Sequence, residues 1–350
     1  MGATSRTINY DALLTSTLDN YRDQLVDNIF ASSVFLSAIK TAGGFQTRDG
    51  GDKIREQLMY GRTPVASYSG YDVLDTTPSE GMTAAFFDWR QLATPIAISR
   101  IEERKNSGNV KIFDLLQAKI KQAEMSITEE VNYQLLGKTV SSSVFISGNS
   151  TKDLDPLALL IPKDPTTTVS IGGIAQGTEA WWRPRYKDGV ADSVNTWVEL
   201  QAALRKVYNQ CSRGAGGLPN MILCDPTGYE TFEASLADKT RYTQQSKGTL
   251  AFDNIMFKTG CPIYWDEMVP DLYTGVNYAS SSYAYSTFFF LNTKYINFIV
   301  DNQTNFITTP FVKPENQDAK VAHIMLYGNM TCSNRRKQGV LHGVSQSITS

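Results

Sequence analysis

A phosphate-binding loop needs glycines ahead of a Gly-Lys-Ser/Thr ending, set between a strand and the helix whose first amides hold the phosphate. Arg213-Gly-Ala-Gly-Gly217 has the glycines but neither that ending nor that order. It follows a helical pattern and precedes a strand pattern, so it reads as a loop that ends a helix. Trp265-Asp-Glu267 offers two carboxylates for acid or base work, yet no histidine is near in sequence, and adjacent carboxylates after a strand are usually solvated. His323 lies in Val321 to Tyr327, where both faces are apolar as in a central strand. It reads as a buried, hydrogen-bonded histidine. His342 is the other histidine, so general bases and metal ligands are scarce. Cys211, Cys224, Cys261 and Cys332 lack zinc-knuckle spacing and read as buried, reduced thiols. The densest basic cluster is Arg335-Arg336-Lys337. It reads as a solvated strand end, with a second reading as an ion-pair donor to a neighbouring subunit. These residues predict no catalytic, cofactor-binding or metal site, and a chain that is not an enzyme.

Composition points the same way. Of 350 residues, 41% are apolar and 19% charged, which describes a folded chain long enough for roughly two domains. A formal net charge of −2 carries no basic footprint of the kind that a dedicated nucleic-acid binder uses to neutralise phosphates. The first residues hold no apolar signal core, and no run approaches the roughly 20 apolar residues of a membrane span. The expectation is a soluble protein made in the cytoplasm.

The elements around these residues are legible from periodicity. Leu14, Leu18, Tyr21, Leu25, Ile29 and Leu36 recur at mostly three or four residues and predict a helical arm from Tyr10 to Lys40, stopped at Gly43-Gly44. Two strand-like runs, Ile54 to Tyr60 and Thr83 to Leu92, flank a middle rich in turn formers and acids. They predict a long β-hairpin whose tip carries Asp72, Asp75 and Glu80. A two-stranded ribbon is marginal in water, so this one should rest on something outside its own domain. Ile112, Leu116, Ile120, Ala123, Ile127, Val131 and Leu135 lie on one face of a long helix between Ser107-Gly-Asn109 and Gly137. At 1.5 Å per residue its 28 or so residues make a rod of roughly 40 Å.

From Val140 to about Pro270 the texture changes to short α/β elements. A helix over Trp197 to Cys211 follows an Asp192-Ser193 cap signal. Asn220 to Asp225 reads as a buried strand, Thr227 to Tyr242 as a helix, and Ile255 to Phe257 and Pro262 to Trp265 as strands. Apolar strand runs then close the pattern, from Phe288 to Val300, Asn305 to Val312 and Gln317 to Leu341.

The order of these parts resembles tailed-bacteriophage major capsid proteins of the Hong Kong 97 type. Local stretches resemble one branch of those coat proteins: Ile171-Gly-Gly-Ile174, Trp181-Trp-Arg183, Phe288 to Thr293, and Cys332-Ser-Asn-Arg-Arg-Lys-Gln-Gly-Val-Leu341. The resemblance implies an α+β capsid fold with an N-terminal helical arm over 1–45, an E-loop β-hairpin over 46–98 and a spine helix over 99–139. An inserted axial domain over 140–285 and return strands of the peripheral domain over 286–350 complete it. It implies hexamers and pentamers tiling an icosahedral shell around double-stranded DNA contacted non-specifically, in a virion capsid assembled in the host cytoplasm. Portal, scaffolding and decoration proteins would be partners, and no membrane or cofactor would be involved. Asp72, Asp75, Glu80, Arg335, Arg336 and Lys337 are the candidate inter-subunit contacts. An encapsulin shell around protein cargo and, more remotely, a cytoplasmic α+β hydrolase are the alternatives.

Overall fold

In the computed structural model the described residues are 33–348, apart from 64, 74–76, 78–79, 106–108, 138–139, 142–143, 146–151, 168, 215, 238–255, 259 and 277–282. Most of the expected arm therefore lies outside them, and its last part is helix α1, Val34–Thr41, which buries Phe35, Leu36 and Ile39. Gly43 turns the chain at φ +76°, and Gly44 passes so close to strand Ile296–Asp301 that an added Cβ would stand 2.4 Å from the Ile296 carbonyl. Only glycine fits there.

Four strands follow: β1 Phe45–Arg48, β2 Ile54–Met59, β3 Met82–Phe87 and β4 Arg90–Ser99. Strands β2 and β3 pair antiparallel from Ile54↔Phe87 to Met59↔Met82. The hairpin closes at Phe87, short of the expected Leu92. Helix α2, Arg100–Lys105, leads to the long helix α3, Asn109–Asn132, which ends in a π turn over Tyr133–Gly137. Ile120, Ala123, Ile127, Val131 and Leu135 are buried along it, as the stripe predicts. The side chains of Ile112 and Leu116 lie outside the described residues.

The short elements are β5 Val140–Ser141, β6 Val144–Phe145, α4 Leu157–Leu160, β7 Ser170–Ile171, β8 Ile174–Ala175 and β9 Arg185–Asp188. Helix α5, Trp197–Ser212, buries Leu200, Leu204, Val207 and Cys211. Its cap is Thr196, which forms a capping box with Glu199, and not the expected Asp192-Ser193. Then come β10 Met221–Cys224, α6 Pro226–Ala237, β11 Met256–Lys258 and β12 Cys261–Trp265. The remaining strands are β13 Tyr285–Leu291, β14 Ile296–Asp301, β15 Ile307–Thr308, β16 Ala319–Cys332 and β17 Gly339–Ser345.

Two larger sheets organise the chain. In the five-stranded sheet β16 is central: β4 runs along one edge from Ser99↔Ala319 to Arg90↔Gly328, while β14 and β15 take the other, and β1 extends the sheet parallel to β14. The six-stranded sheet has the order β11-β12-β10-β13-β17-β9. This corrects the expectation that 286–350 returns wholly to the peripheral part, because β13 and β17 pair with strands of the expected inserted domain. The cause is double-sided burial. Phe289, Leu291 and Val340 pack into one apolar cluster, and Phe288, Phe290 and Leu341 into another. Such strands need a layer on each face. The hairpin range of 46–98 is corrected likewise, since β1 and β4 belong to the five-stranded sheet.

His323 is a further correction: it is exposed. Along β16 the pleat turns Ala322, Ile324 and Leu326 inward and His323 outward. The buried histidine is His342, on β17.

Candidate inter-subunit surface

The root of the β2–β3 hairpin rests on its own chain. Ile54, Glu56 and Leu58 alternate inward on β2, as do Ala85 and Phe87 on β3. The Glu56 carboxylate accepts from Arg48 at 3.0 Å and from Thr331 Oγ1 at 3.1 Å, which fastens the root to β1 and β16. Between β7 and β8, Gly172 adopts φ +62° and accepts from Phe86 N at 2.9 Å; its missing side chain lets Ala85 approach, since a Cβ would stand 2.8 Å from Ala85 Cβ. Tyr60 stacks on Trp181 with ring centroids 4.6 Å apart. The amides of Tyr60 and Gly61 both donate to the Gly81 carbonyl.

Beyond that neck support stops. Every described residue from 62 to 80 is exposed. Tyr71 and Val73 are essentially fully accessible, and Val65 is 92% exposed. Met59, Met82 and Phe86 add apolar surface on the outer face of the ribbon. Fully burying one such side chain gains about 1.5–3 kcal/mol, so the tip holds several kcal/mol of unused association energy. Large exposed apolar surface is a common feature of interaction sites.

Among the predicted contact residues, Asp72 and Glu80 lie exposed on this tip, and the Asp72 carboxylate accepts from Ser69 N at 2.8 Å. Asp75 lies outside the described residues. The basic cluster is split, which corrects its reading as a solvated strand end. Arg335 is fully buried, donates to the Leu160 carbonyl and to Gln176 Oε1, and lies over the Trp182 ring. Burial pushes its pKa down to about 9. Lys337 is buried too, and its ammonium donates to the carbonyls of Arg213, Gly214 and Gly217 at 3.0 to 3.2 Å. Arg336 alone of the three is exposed. The glycine loop is thus a cradle of carbonyls for a cation, the electrostatic opposite of a phosphate loop.

Several acids and all four thiols are held within the fold. Asp225 is buried and accepts from Gly228 N, Thr287 N, Thr227 Oγ1 and Ser286 Oγ. Desolvation raises its pKa against those bonds. Asp266 is half-buried rather than solvated; burial raises its pKa while the amide of Met268 opposes the shift. All four cysteines are buried and free of disulfides, and burial drives the thiols of Cys211, Cys261 and Cys332 up to about 12. Among the described residues no cluster of three histidines, cysteines or acids is placed to hold a metal. A groove of about 520 Å³ between α1 and the ends of β10 and β12 has no acid, histidine, lysine, arginine or cysteine in its lining. None of the described helices is long and apolar enough to cross a membrane.

No protein-family model matches the chain, and no curated protein sequence does. Solved structures do. The capsid asymmetric unit of cyanophage A-1(L) is similar at a TM-score of 0.53 and 11% identity, over 86% of this chain and 90% of that one. A structure of Gordonia phage Cozz is similar at 0.52 and 14%, over 87% and 86%. The holo-SrpI encapsulin complex from Synechococcus elongatus aligns over 87% and 86% at 0.49 and 10%.

Proposed function

We propose that this chain, whose fold is that of tailed-phage capsid proteins, is a major capsid protein that assembles into the hexamers and pentamers of an icosahedral shell around double-stranded DNA. The observation that carries this reading is the hairpin tip. A ribbon that leaves its own support at Gly61 and Gly81, with Val65, Tyr68, Tyr71 and Val73 open to water, is built to be covered by another subunit. Apolar contact supplies most of the energy there, and Asp72, Asp75 and Glu80 add charge complementarity toward exposed basic groups of the neighbour. Of the 335–337 cluster only Arg336 is exposed.

In this reading the chain is not an enzyme, its place is the virion capsid, and assembly takes place in the host cytoplasm. Portal and scaffolding proteins, and a decoration protein where one exists, are its other partners. The test is electron microscopy of the chain expressed alone and with its scaffold. DNA-filled shells support the reading, and particles filled with protein cargo favour a nanocompartment instead. Light scattering that shows only a 38.8 kDa monomer under every condition overturns both.

A further inference from the structure

Three arginines from distant parts of the chain converge where β9 meets β17. The amide of Arg185, at the start of β9, donates to the Gln338 carbonyl at 2.9 Å, and Arg185 pairs with Gly339. Arg336 is the exposed middle residue of the turn just before. Lys337 reaches from that turn to the carbonyl of Arg213, the residue that follows α5, and so draws Arg213 to the same place. Gly339 makes the approach possible, because a Cβ there would lie 2.6 Å from Cys211 Sγ and 3.3 Å from the Arg185 carbonyl.

Among the described residues no carboxylate neutralises this group. None of the three arginines forms an ion pair among the described residues. Arg185 Nε is buried and donates to no acceptor. Burial, and after it the charges of Arg336 and Arg213, lowers the pKa of Arg185. A molecule with a formal net charge of −2 thus concentrates uncompensated positive charge at one spot.

The adjoining loop complements the charge. Gly214, Gly216 and Gly217 have φ of +82°, +114° and +87°. Their carbonyls face inward, Gly214 and Gly217 to Lys337 and Gly216 to Tyr295 Oη. Their amides donate to no protein acceptor among the described residues. The Lys337 ammonium also offsets the negative end of the α5 dipole, which would otherwise repel an anion.

We infer that Arg185, Arg213 and Arg336, with the amides of Gly214, Gly216 and Gly217, bind phosphate groups of a nucleic-acid backbone. Guanidinium forks match phosphate oxygens two at a time, and a row of phosphodiesters supplies the repeated charge that three cations require. The acidic hairpin tip of a second copy fits less well, because one Asp72 oxygen already accepts from Ser69 N, whereas a phosphodiester backbone repeats its charge along a row. That the nucleic acid is packaged double-stranded DNA rests on the capsid reading; the phosphate site does not.

The experiment is fluorescence anisotropy of a labelled DNA duplex of about 20 base pairs against the full chain, repeated at salt concentrations from about 50 to 200 mM. Three phosphate contacts give a log–log salt slope near −2.7, at about −0.9 per contact. The doubly substituted Arg213→Gln, Arg336→Gln chain should bind at least about tenfold more weakly at low salt, with a slope near −0.9. Lys121→Gln, on the exposed face of α3, should behave as wild type. Absence of duplex binding by the wild-type chain at the lowest salt, or an unchanged slope in the double variant, overturns the site. So does a double variant that keeps the DNA and loses self-association, since the arginines then serve the carboxylates of a second copy. If microscopy shows no shells while the slope falls as expected, the capsid reading fails and the phosphate site stands.

Discussion

Asn329 and Asp155, 174 residues apart in sequence, exchange two hydrogen bonds: Asp155 N donates to Asn329 Oδ1 at 2.9 Å and Asn329 Nδ2 to Asp155 Oδ2 at 2.8 Å. Nδ2 also reaches the Asp88 carbonyl at 2.8 Å, and Arg90 approaches Asp155 at 3.4 Å. Both residues are buried. The pair ties the last part of β16 to the start of β4 and to the segment before α4. Replacing Asn329 by Ala strands a buried amide and a buried carboxylate, so unfolding in urea should show a loss of about 1–3 kcal/mol.

The hairpin tip separates folding from assembly. Tyr68, Tyr71 and Val73 replaced by Ser should leave the melting temperature of the isolated subunit unchanged and abolish shells in electron micrographs. Replacing Asp72, Asp75 and Glu80 by Ala should reduce shell yield less, because exposed ion pairs contribute about 0–1 kcal/mol and a buried apolar side chain about 1.5–3. Equal effects of the two triples would refute an apolar contact.

Lys337 acts as an internal counter-charge. Lys337→Met keeps the stem but leaves the carbonyls of Arg213, Gly214 and Gly217 without their shared donor. A loss of about 1–3 kcal/mol is expected. Lys337→Arg should not restore it, since a planar guanidinium fork cannot aim its donors at three carbonyls gathered round one ammonium.

His342 sets a pH dependence of known sign. Burial lowers its pKa, opposed by the carboxylate of Asp188, the bond to the Lys163 carbonyl and Asp271. The unfolded chain then binds more protons between the folded pKa and the ordinary value near 6.5. The stability is present above that value and is lost as pH falls through the folded pKa, at no more than about 1.4 kcal/mol per pH unit. Asp155 and Asp225, whose pKa values burial raises, act with opposite sign. Comparing the wild-type chain with His342→Phe from pH 8 to 5 isolates the histidine, and the variant should show the flatter curve.

Chemical cross-links between subunits are not expected through this hairpin. No lysine occurs between Lys53 and Lys105, and Lys53 is paired with Asp88 at 3.1 Å at the root. The four cysteines are buried. Particles boiled in detergent should release one band near 38.8 kDa; a ladder would show that an amine does reach a neighbour.

Periodicity carried the local elements well where one face decides burial. The α3 stripe and the α5 face are examples, since each apolar side chain there answers to a single core. The Thr196 cap was readable in principle from Thr196-Trp-Val-Glu199, a capping-box spacing that the Asp192-Ser193 signal overshadowed. Non-local partners were not readable. Whether Arg335 and Lys337 face water depends on carbonyls at Leu160, Arg213 and Gly217, far away in sequence. His323 turned outward against expectation for the same reason: an apolar run does not reveal which side of a strand a second layer covers. The arginine cluster at Arg185, Arg213 and Arg336 has no sequence signal, because strand pairing and the reach of Lys337 to the Arg213 carbonyl assemble it.

Strand β17 lies between β13 and β9 and completes the six-stranded sheet. Its residues, 339–345, cannot pair before the ribosome has made them, which at about 5–20 residues per second comes some tens of seconds after β9 has emerged at most. Until then β13 and β9 each lack a neighbour on one edge, which leaves the backbone N–H and C=O groups there unpaired. The six-stranded sheet therefore closes well after the β2–β3 hairpin has been made.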